Sequence, residues 1–321
     1  VELNTPLERL NVVALAGGVG GARFAHGIAQ VIPPENLSVI VNTGDDFQRY
    51  TLYISPDLDT VMYTLAGLAH PVNGWGLTGD TQHMLTMIKR YGDDAWFGLN
   101  DQDLATHLVR SQALADGLTL TQATHRLAHA LGVRSPLLPM TDQPAGTLID
   151  TVEYGVIPFQ EYFVRYRWQP RVKRVIVAEG VTPTDAVRES LRNADLILIC
   201  PSNPLLSILP ILNIGEIGGI LRGRRVPIWV VSPLIGGQAV KGPAAKLMAE
   251  MGLEVSAEGI ATYYKEQGLI DGLIADPGDQ VNVPGVRVLY TNILMRDGAD
   301  RARLAREVIE WGVSQTMTWS R

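Results

Sequence analysis

A short apolar run at residues 11–16 stops in the glycine-dense string GGVGGAR, and a helical pattern follows over 23–31. This order of strand, glycine turn and helix restricts the fold more than any other feature of the chain. A second apolar run, 37–41, ends in NTGDD. Two strands joined through a helix predict a βαβ unit with a right-handed crossover.

The pattern changes after the second strand. Helical periods dominate from about 60 to 131, with Leu104, Leu108 and the residues around 127–131 on amphipathic faces. This region reads as a helical insertion spanning 60–145, whose loops carry GWGLTGDT and AWFGLNDQD. Strand patterns return at 147–153. Residues 162–168 alternate, with Tyr162, Val164, Tyr166 and Trp168 on one side and Phe163, Arg165 and Arg167 on the other, which predicts a half-buried strand. Further strands at 172–178, 195–200 and 226–231 alternate with helices at 183–192 and 243–251. Neither an internal repeat nor a linker divides the chain. With 321 residues, 46% of them apolar, there is enough material for one large core. The expected architecture is a single α/β domain over 1–321, a Rossmann-like, mostly parallel sheet with helices on both faces and a helical insertion.

Charge narrows the function classes. The formal net charge is −6 and no run of Lys and Arg occurs, so nucleic acid is not an expected partner. A small phosphorylated ligand needs only a local site, and a negatively charged protein that binds one often recruits a divalent cation. The single cysteine, Cys200, excludes an internal disulfide and fits a reducing compartment. The first residues, VELNTPLERLN, carry no signal-like apolar core, and no apolar stretch reaches membrane-spanning length. These features lead to the expectation of a cytoplasmic protein with no membrane partner.

In open parallel sheets, ligands bind beyond the carboxyl ends of the strands. Four strand ends carry unusual loops. The first holds Gly17, Gly18, Gly20 and Gly21, which allow backbone N–H groups to approach an anion. It is not a Walker loop, and Arg23 stands where the third glycine of a dinucleotide fingerprint belongs. A tight turn of purely structural purpose is the alternative. The second end supplies Asn42, Asp45 and Asp46, followed closely by Asp57, Asp59 and Thr60 in SPDLDT. Such crowded carboxylates repel one another unless a cation or backbone donors compensate, and hard oxygen ligands suit Mg2+. Asp57 or Asp59 as a helix cap, and Asp45 as a ribose ligand, are the alternatives. The third end places Ser202 and Asn203 between two prolines, able either to bind a nucleotide or to cap a helix. The fourth, SPLIGGQAVKGPA, reads as a flexible loop with one cation, Lys241, as a phosphate contact. His125 and His129 stand four apart, but in the string HRLAH they read as surface residues. His26, His70, His83 and His107 show no ligand spacing.

Together the strings GGVGGARF, NTGDD, SPDLDTVMYTL, GWGL, WFGLNDQDLATHLVR, LLPMTD, FQEYFVRYR, PSNPLLSILPIL and SPLIGG with KGPA resemble the 2-phospho-L-lactate transferase family (CofD/FbiA) of coenzyme F-420 biosynthesis. The resemblance runs from about residue 12 to 251 and beyond, and NTGDD followed by SPDLDT is its most specific part. It implies transfer of a phospholactyl or phosphoenolpyruvyl group from a guanosine diphosphate-linked donor to the ribityl hydroxyl of the deazaflavin Fo, with release of GMP. It also implies Mg2+ and a homodimer. Carried onto this sequence, Asp45 and Asp59 hold the metal, and Asp46 or a neighbouring carboxylate positions or deprotonates the hydroxyl. The glycine loop and PSNP hold the nucleotide, and Trp75, Trp96 and Phe97 stack on the deazaflavin. The competing reading is a nucleotide-sugar-binding regulatory protein of the related gluconeogenesis-factor group. A nicotinamide dehydrogenase is disfavoured by Arg23.

Overall fold

The structure is a computed structural model and describes residues 7–316 other than Lys241. The chain opens with β1 (Val12–Ala16), α1 (Gly18–Ile28) and β2 (Leu37–Val41). Next come a hairpin of β3 (Phe47–Arg49) and β4 (Leu52–Ile54), then α2 (Pro56–Leu65), α3 (His83–Arg90), α4 (Asp101–Ala115), α5 (Leu120–Ala130) and β5 (Leu137–Pro139). A small sheet is built from β6 (Leu148–Thr151), β7 (Gly155–Pro158) and β8 (Val172–Ile176). The chain continues through α6 (Asp185–Asn193), β9 (Leu196–Ile199), α7 (Leu209–Leu212), α8 (Ile217–Arg222) and β10 (Ile228–Val231). The short β11 (Leu234–Ile235) and β12 (Gln238–Ala239) precede α9 (Ala244–Glu250), α10 (Ala257–Glu266), β13 (Gly272–Ala275), β14 (Arg287–Tyr290) and α11 (Gly298–Thr316).

The main sheet has seven strands in the order β14-β13-β10-β9-β1-β2-β5, and every neighbouring pair is parallel. Parallel strands need crossovers, and helices supply them on both faces. Both faces of each central strand are therefore buried. In β1, Val12, Ala14 and Ala16 enter one core with Phe24 of α1, Leu58 of α2 and Leu304 of α11. Val13 and Leu15 enter the other with Val187 of α6, Leu221 of α8 and Ile260 of α10. From β1 the chain moves outward to β2 and β5, then returns to build the far side from β9. That reversal between β1 and β9 opens a crevice at the strand ends, where such folds take ligands.

The 60–145 span begins inside α2, which lies against α1. It contains α3, α4 and α5, and ends beyond β5, which is an edge strand of the main sheet. A capping box between Thr119 and Gln122 starts α5.

Two expectations need correction. The 162–168 strand does not form. Residues Glu161–Arg165 make a π-helical turn instead, and β8 follows it into an antiparallel sheet with β6 rather than into the main sheet. The reason lies in a competing period. Phe159, Tyr162 and Phe163 stand at i, i+3 and i+4 and enter one small core, with the Phe159 and Phe163 rings stacked at 5.4 Å. The turn ends in two consecutive left-handed residues, Arg167 (φ 50°) and Trp168 (φ 48°), a conformation that costs energy in non-glycine residues. The SPLIGG loop is not a flexible segment either. It is a tight β11–β12 hairpin whose two turn glycines, Gly236 and Gly237, both have positive φ.

Candidate active site

A cleft of about 640 Å3 sits over the β1–β9 crevice, a size typical of small-ligand sites. The loops after β1, β2, β9 and β10 all reach it, through Gly17 to Gly20, Asn42 and Asp45, Ser202 and Asn203, and Ser232 and Pro233. The four strand ends singled out in the sequence thus meet because β10, β9, β1 and β2 are neighbours in the sheet.

The glycine turn is locked against its surroundings. Gly18 has φ +62°, and a Cβ on Gly20 would lie 2.2 Å from the Pro201 carbonyl oxygen. Only glycine suits either position. The Ser202 hydroxyl accepts from the Gly17 N–H (3.1 Å) and donates to the Gly17 carbonyl (2.8 Å), tying the β1 and β9 loops together. Gly21 lies behind the cleft against Ser202. Asn203 spends its side-chain oxygen on the Leu205 and Leu206 N–H groups, so the capping role holds for that atom.

Asp57 does not cap α2. Its Oδ1 accepts from the Gly18 N–H (2.7 Å) and its Oδ2 from the Asn42 amide (3.0 Å). A carboxylate thus sits on the first N–H of α1, where an anionic ligand would also bind. Burial pushes the Asp57 pKa up to about 6. Asp45 faces the cleft with Oδ1 buried and unpartnered. Burial, then the nearby Asp57 and Asp46, hold its carboxyl well above the usual range. Asp46 is raised by burial too, but it lies off the cleft wall, with its Oδ2 accepting from the Ser55 hydroxyl at 2.7 Å.

Asp59 is clasped by Arg110, which donates from Nη1 to Oδ2 at 3.0 Å and from Nη2 to Oδ1. The pair is buried, with side chains 1% and 6% exposed for Arg110 and Asp59. His107 stands 3.6 Å from Asp59 and 3.1 Å from Asp103, and Tyr63 donates to Asp103 at 2.7 Å. Sequence reading gave Asp103 and Arg110 no role and found no ligand spacing at His107, which the structure corrects by grouping His107 with Asp59 and Asp103. Their only signal was spacing: residues 103, 107 and 110 share one face of α4.

Two acidic groupings could hold a cation. Asp59, Asp103 and His107 place ligand atoms within 4.8 Å of one another, but Arg110, Tyr63 and mutual contacts already take up part of that capacity. Asp45 is the better fit. It has an orphaned buried oxygen and carboxylate neighbours that raise its pKa, and a carboxylate is a hard oxygen ligand, which suits Mg2+. Asp57 and Asp59 complete the acidic wall.

This crowding has a pH signature. Asp45, Asp46 and Asp57 have folded pKa values above their unfolded ones. The stability this contributes is complete below the unfolded pKa of 3.8 and is lost as pH rises through about 6 for Asp57. Asp103 has the opposite shift: burial raises it, but the hydrogen bonds from His107 and Tyr63 outweigh burial and lower the pKa, so its contribution is lost only in stronger acid. Metal-free protein should therefore melt higher at pH 5 than at pH 7.5, and added Mg2+ should raise the melting temperature more at pH 7.5. Melting curves at both pH values check this, and a Mg2+ effect independent of pH would count against a cation at these carboxylates.

The aromatic positions separate. Trp75 and Phe97 line the cleft, with Trp75 47% exposed. Trp96 does not line it. It packs edge-on against Phe97 at 5.8 Å, with Arg49 over its ring. Phe159, Phe163 and Trp168 form a further aromatic wall that the strand reading of 162–168 concealed. Lys241 lies outside the described residues. His125 and His129 are exposed on α5, as expected for surface residues.

Comparison with known proteins decides the family. The family model described as 2-phospho-L-lactate transferase CofD matches residues 12–303. This chain belongs to that family. A phosphoenolpyruvate transferase of Kitasatospora aureofaciens is 41% identical over 312 residues, covering 94% of this chain and 97% of that one. A 2-phospho-L-lactate transferase of Methanopyrus kandleri is 40% identical over 306 residues, covering 94% and 97%. A crystal structure of a Bacillus halodurans protein of the UPF0052 family aligns with a TM-score of 0.61 at 13% identity, over 94% of this chain and 99% of that one, a likeness of fold. Among the described residues, no helix is long and apolar enough to cross a membrane.

Proposed function

We propose that this CofD-family protein transfers a phospholactyl or phosphoenolpyruvyl group from a guanosine diphosphate-linked donor to the ribityl hydroxyl of the deazaflavin Fo. The hydroxyl oxygen bonds to the phosphorus that carries the small acid. The bond from that phosphorus to the bridging oxygen breaks, and GMP leaves with the oxygen. The observation that carries this reading is the Asp45 carboxylate, its Oδ1 unpartnered, facing the cleft that the glycine turn and two aromatic walls also line.

The N-terminus of α1 presents backbone N–H groups to the donor's diphosphate. Asp45 and Asp59 would hold Mg2+, which supplies charge neutralisation for the diphosphate and the departing GMP. Asp57 accepts the hydroxyl proton in preference to Asp46, because it lies on the cleft wall and its pKa of about 6 is close to neutral pH. Trp75 and Phe97 flank the deazaflavin.

Incubation with Fo, Mg2+ and each of the lactyl, enolpyruvyl and glyceryl guanylylated donors should give the mass of the corresponding Fo phosphodiester together with GMP. Failure of all three donors to produce GMP from Fo would overturn the reading. Trp75→Ala should weaken Fo binding, measured by fluorescence titration, roughly tenfold, as expected for about 1–1.5 kcal/mol of aromatic stacking. Trp96→Ala should act on stability more than on Fo affinity. The reverse ranking would remove Trp75 from the deazaflavin site.

A further inference from the structure

Behind the cleft lies a second cavity of about 140 Å3, between α1, the segment after α2 and α11. That is several times the roughly 30 Å3 share of one water. Its lining includes Arg23 from α1, Arg301 from α11, His26 and His70. The two guanidinium groups are close enough for Arg23 to lower the Arg301 pKa, although burial is the larger cause. The Nε of each is buried without a hydrogen-bond partner. Among the described residues neither arginine forms a salt bridge, and Arg23 reaches only the Met295 carbonyl, at 3.4 Å. Among the described residues, the carboxylate whose charge offsets Arg301 is Asp297, which is exposed and caps the start of α11 through the Asp300 N–H.

The histidines add donors. His70 Nδ1 faces the Val72 and Asn73 N–H groups at 3.3 and 3.2 Å, and His26 Nδ1 faces the Gln30 amide nitrogen at 2.8 Å. Both rings use Nδ1 as an acceptor, so each carries its proton on Nε2 and has an N–H to offer. Burial, then Arg301, holds the His26 pKa below the usual range, so this ring does not need to be charged to donate.

Two half-buried guanidinium groups of like charge repel each other, and the buried Nε that each leaves without a partner calls for an explanation. An oxyanion supplies both the missing charge and the missing acceptors, because arginine forks match phosphate-type geometry. We propose that this cavity is a second anion site, distinct from the substrate cleft, which takes a small phosphate-class oxyanion between Arg23 and Arg301. Its size favours the free inorganic ion over a phosphomonoester. Arg23 also lines the substrate cleft, so the bound anion braces the wall that Arg23 and Met295 share.

The test locates an anion directly. Crystals of the full chain soaked in selenate should give an anomalous peak within hydrogen-bonding distance of both guanidinium groups. Calorimetric titration with inorganic phosphate should report a saturable site that Arg301→Gln weakens roughly tenfold to a hundredfold, the range for losing a hydrogen bond to a charged group. Glycerol phosphate should bind this site more weakly than phosphate. In anion-free buffer Arg301→Gln should melt no lower than the wild type, because it relieves like-charge repulsion, which separates lost binding from lost folding. An empty pocket in the wild-type selenate map, or phosphate binding unchanged by Arg301→Gln, would overturn the proposal. Tighter binding of glycerol phosphate would overturn the assignment to the free ion.

Discussion

Asp45→Asn should reduce Fo turnover about a hundred- to a thousandfold, or about 2.7–4 kcal/mol, the usual consequence of removing one electrostatic contact to charge that develops in the transition state. The substitution keeps the size of the side chain and its hydrogen-bonding capacity. It removes the one cleft carboxylate whose Oδ1 has no protein partner. Folding should not suffer. Burial, Asp57 and Asp46 all disfavour a charge at this position, so a neutral amide relieves strain in metal-free protein. The amide nitrogen of Gln160 reaches both the backbone oxygen of Asp45 (3.0 Å) and its Oδ2 (3.5 Å), and the first of these survives the change. The variant should therefore melt at or above the wild-type temperature without Mg2+ and respond less to added Mg2+. Near-normal turnover at saturating Mg2+ would give Asp45 a structural role and leave any cation to Asp57 and Asp59.

The parts of this site that were legible in sequence share a physical origin. Buried parallel strands are short apolar runs, and a chain leaving such a strand for a ligand must change direction sharply. The glycines of GGVGGAR and the acids of NTGDD therefore stand out at the ends of β1 and β2. Their convergence followed from the parallel order alone. The unread parts depend on longer-range or ambiguous information. Residues 162–168 satisfy a strand period and 159–163 a helical one, and packing of Phe159 and Phe163 with buried Tyr162 in one small core decided for the turn. That choice also hid an aromatic wall of the cleft. Asp103, His107 and Arg110 are ordinary residues on an amphipathic helix. Only the tertiary position of α4 brings Arg110 onto Asp59, 51 residues earlier in the chain. Trp75 and Trp96 look alike in sequence, and only packing separates a cleft residue from a brace.

Arg110→Met should destabilise the fold by about 3–5 kcal/mol, the expected cost of leaving one partner of a buried ion pair uncompensated. Burial opposes the charge of Arg110, yet Asp59, with help from Asp46 and Tyr63, holds its pKa above the ordinary value. Methionine restores much of the volume but none of the two donors to Asp59. Arg110→Lys should fall between, because a point charge cannot make the forked contact. The informative variant is the double substitution Arg110→Met with Asp59→Asn. Without a stranded carboxylate it should recover a large part of the lost stability, giving a clear coupling in a double-mutant cycle. Turnover should not recover with it, since Asp59 faces the cleft and is proposed to serve the donor's diphosphate through a cation. Recovery of both stability and turnover would show that the Arg110–Asp59 pair is architectural only. Recovery of stability alone would show that turnover needs the Asp59 carboxylate, which Arg110 holds in place.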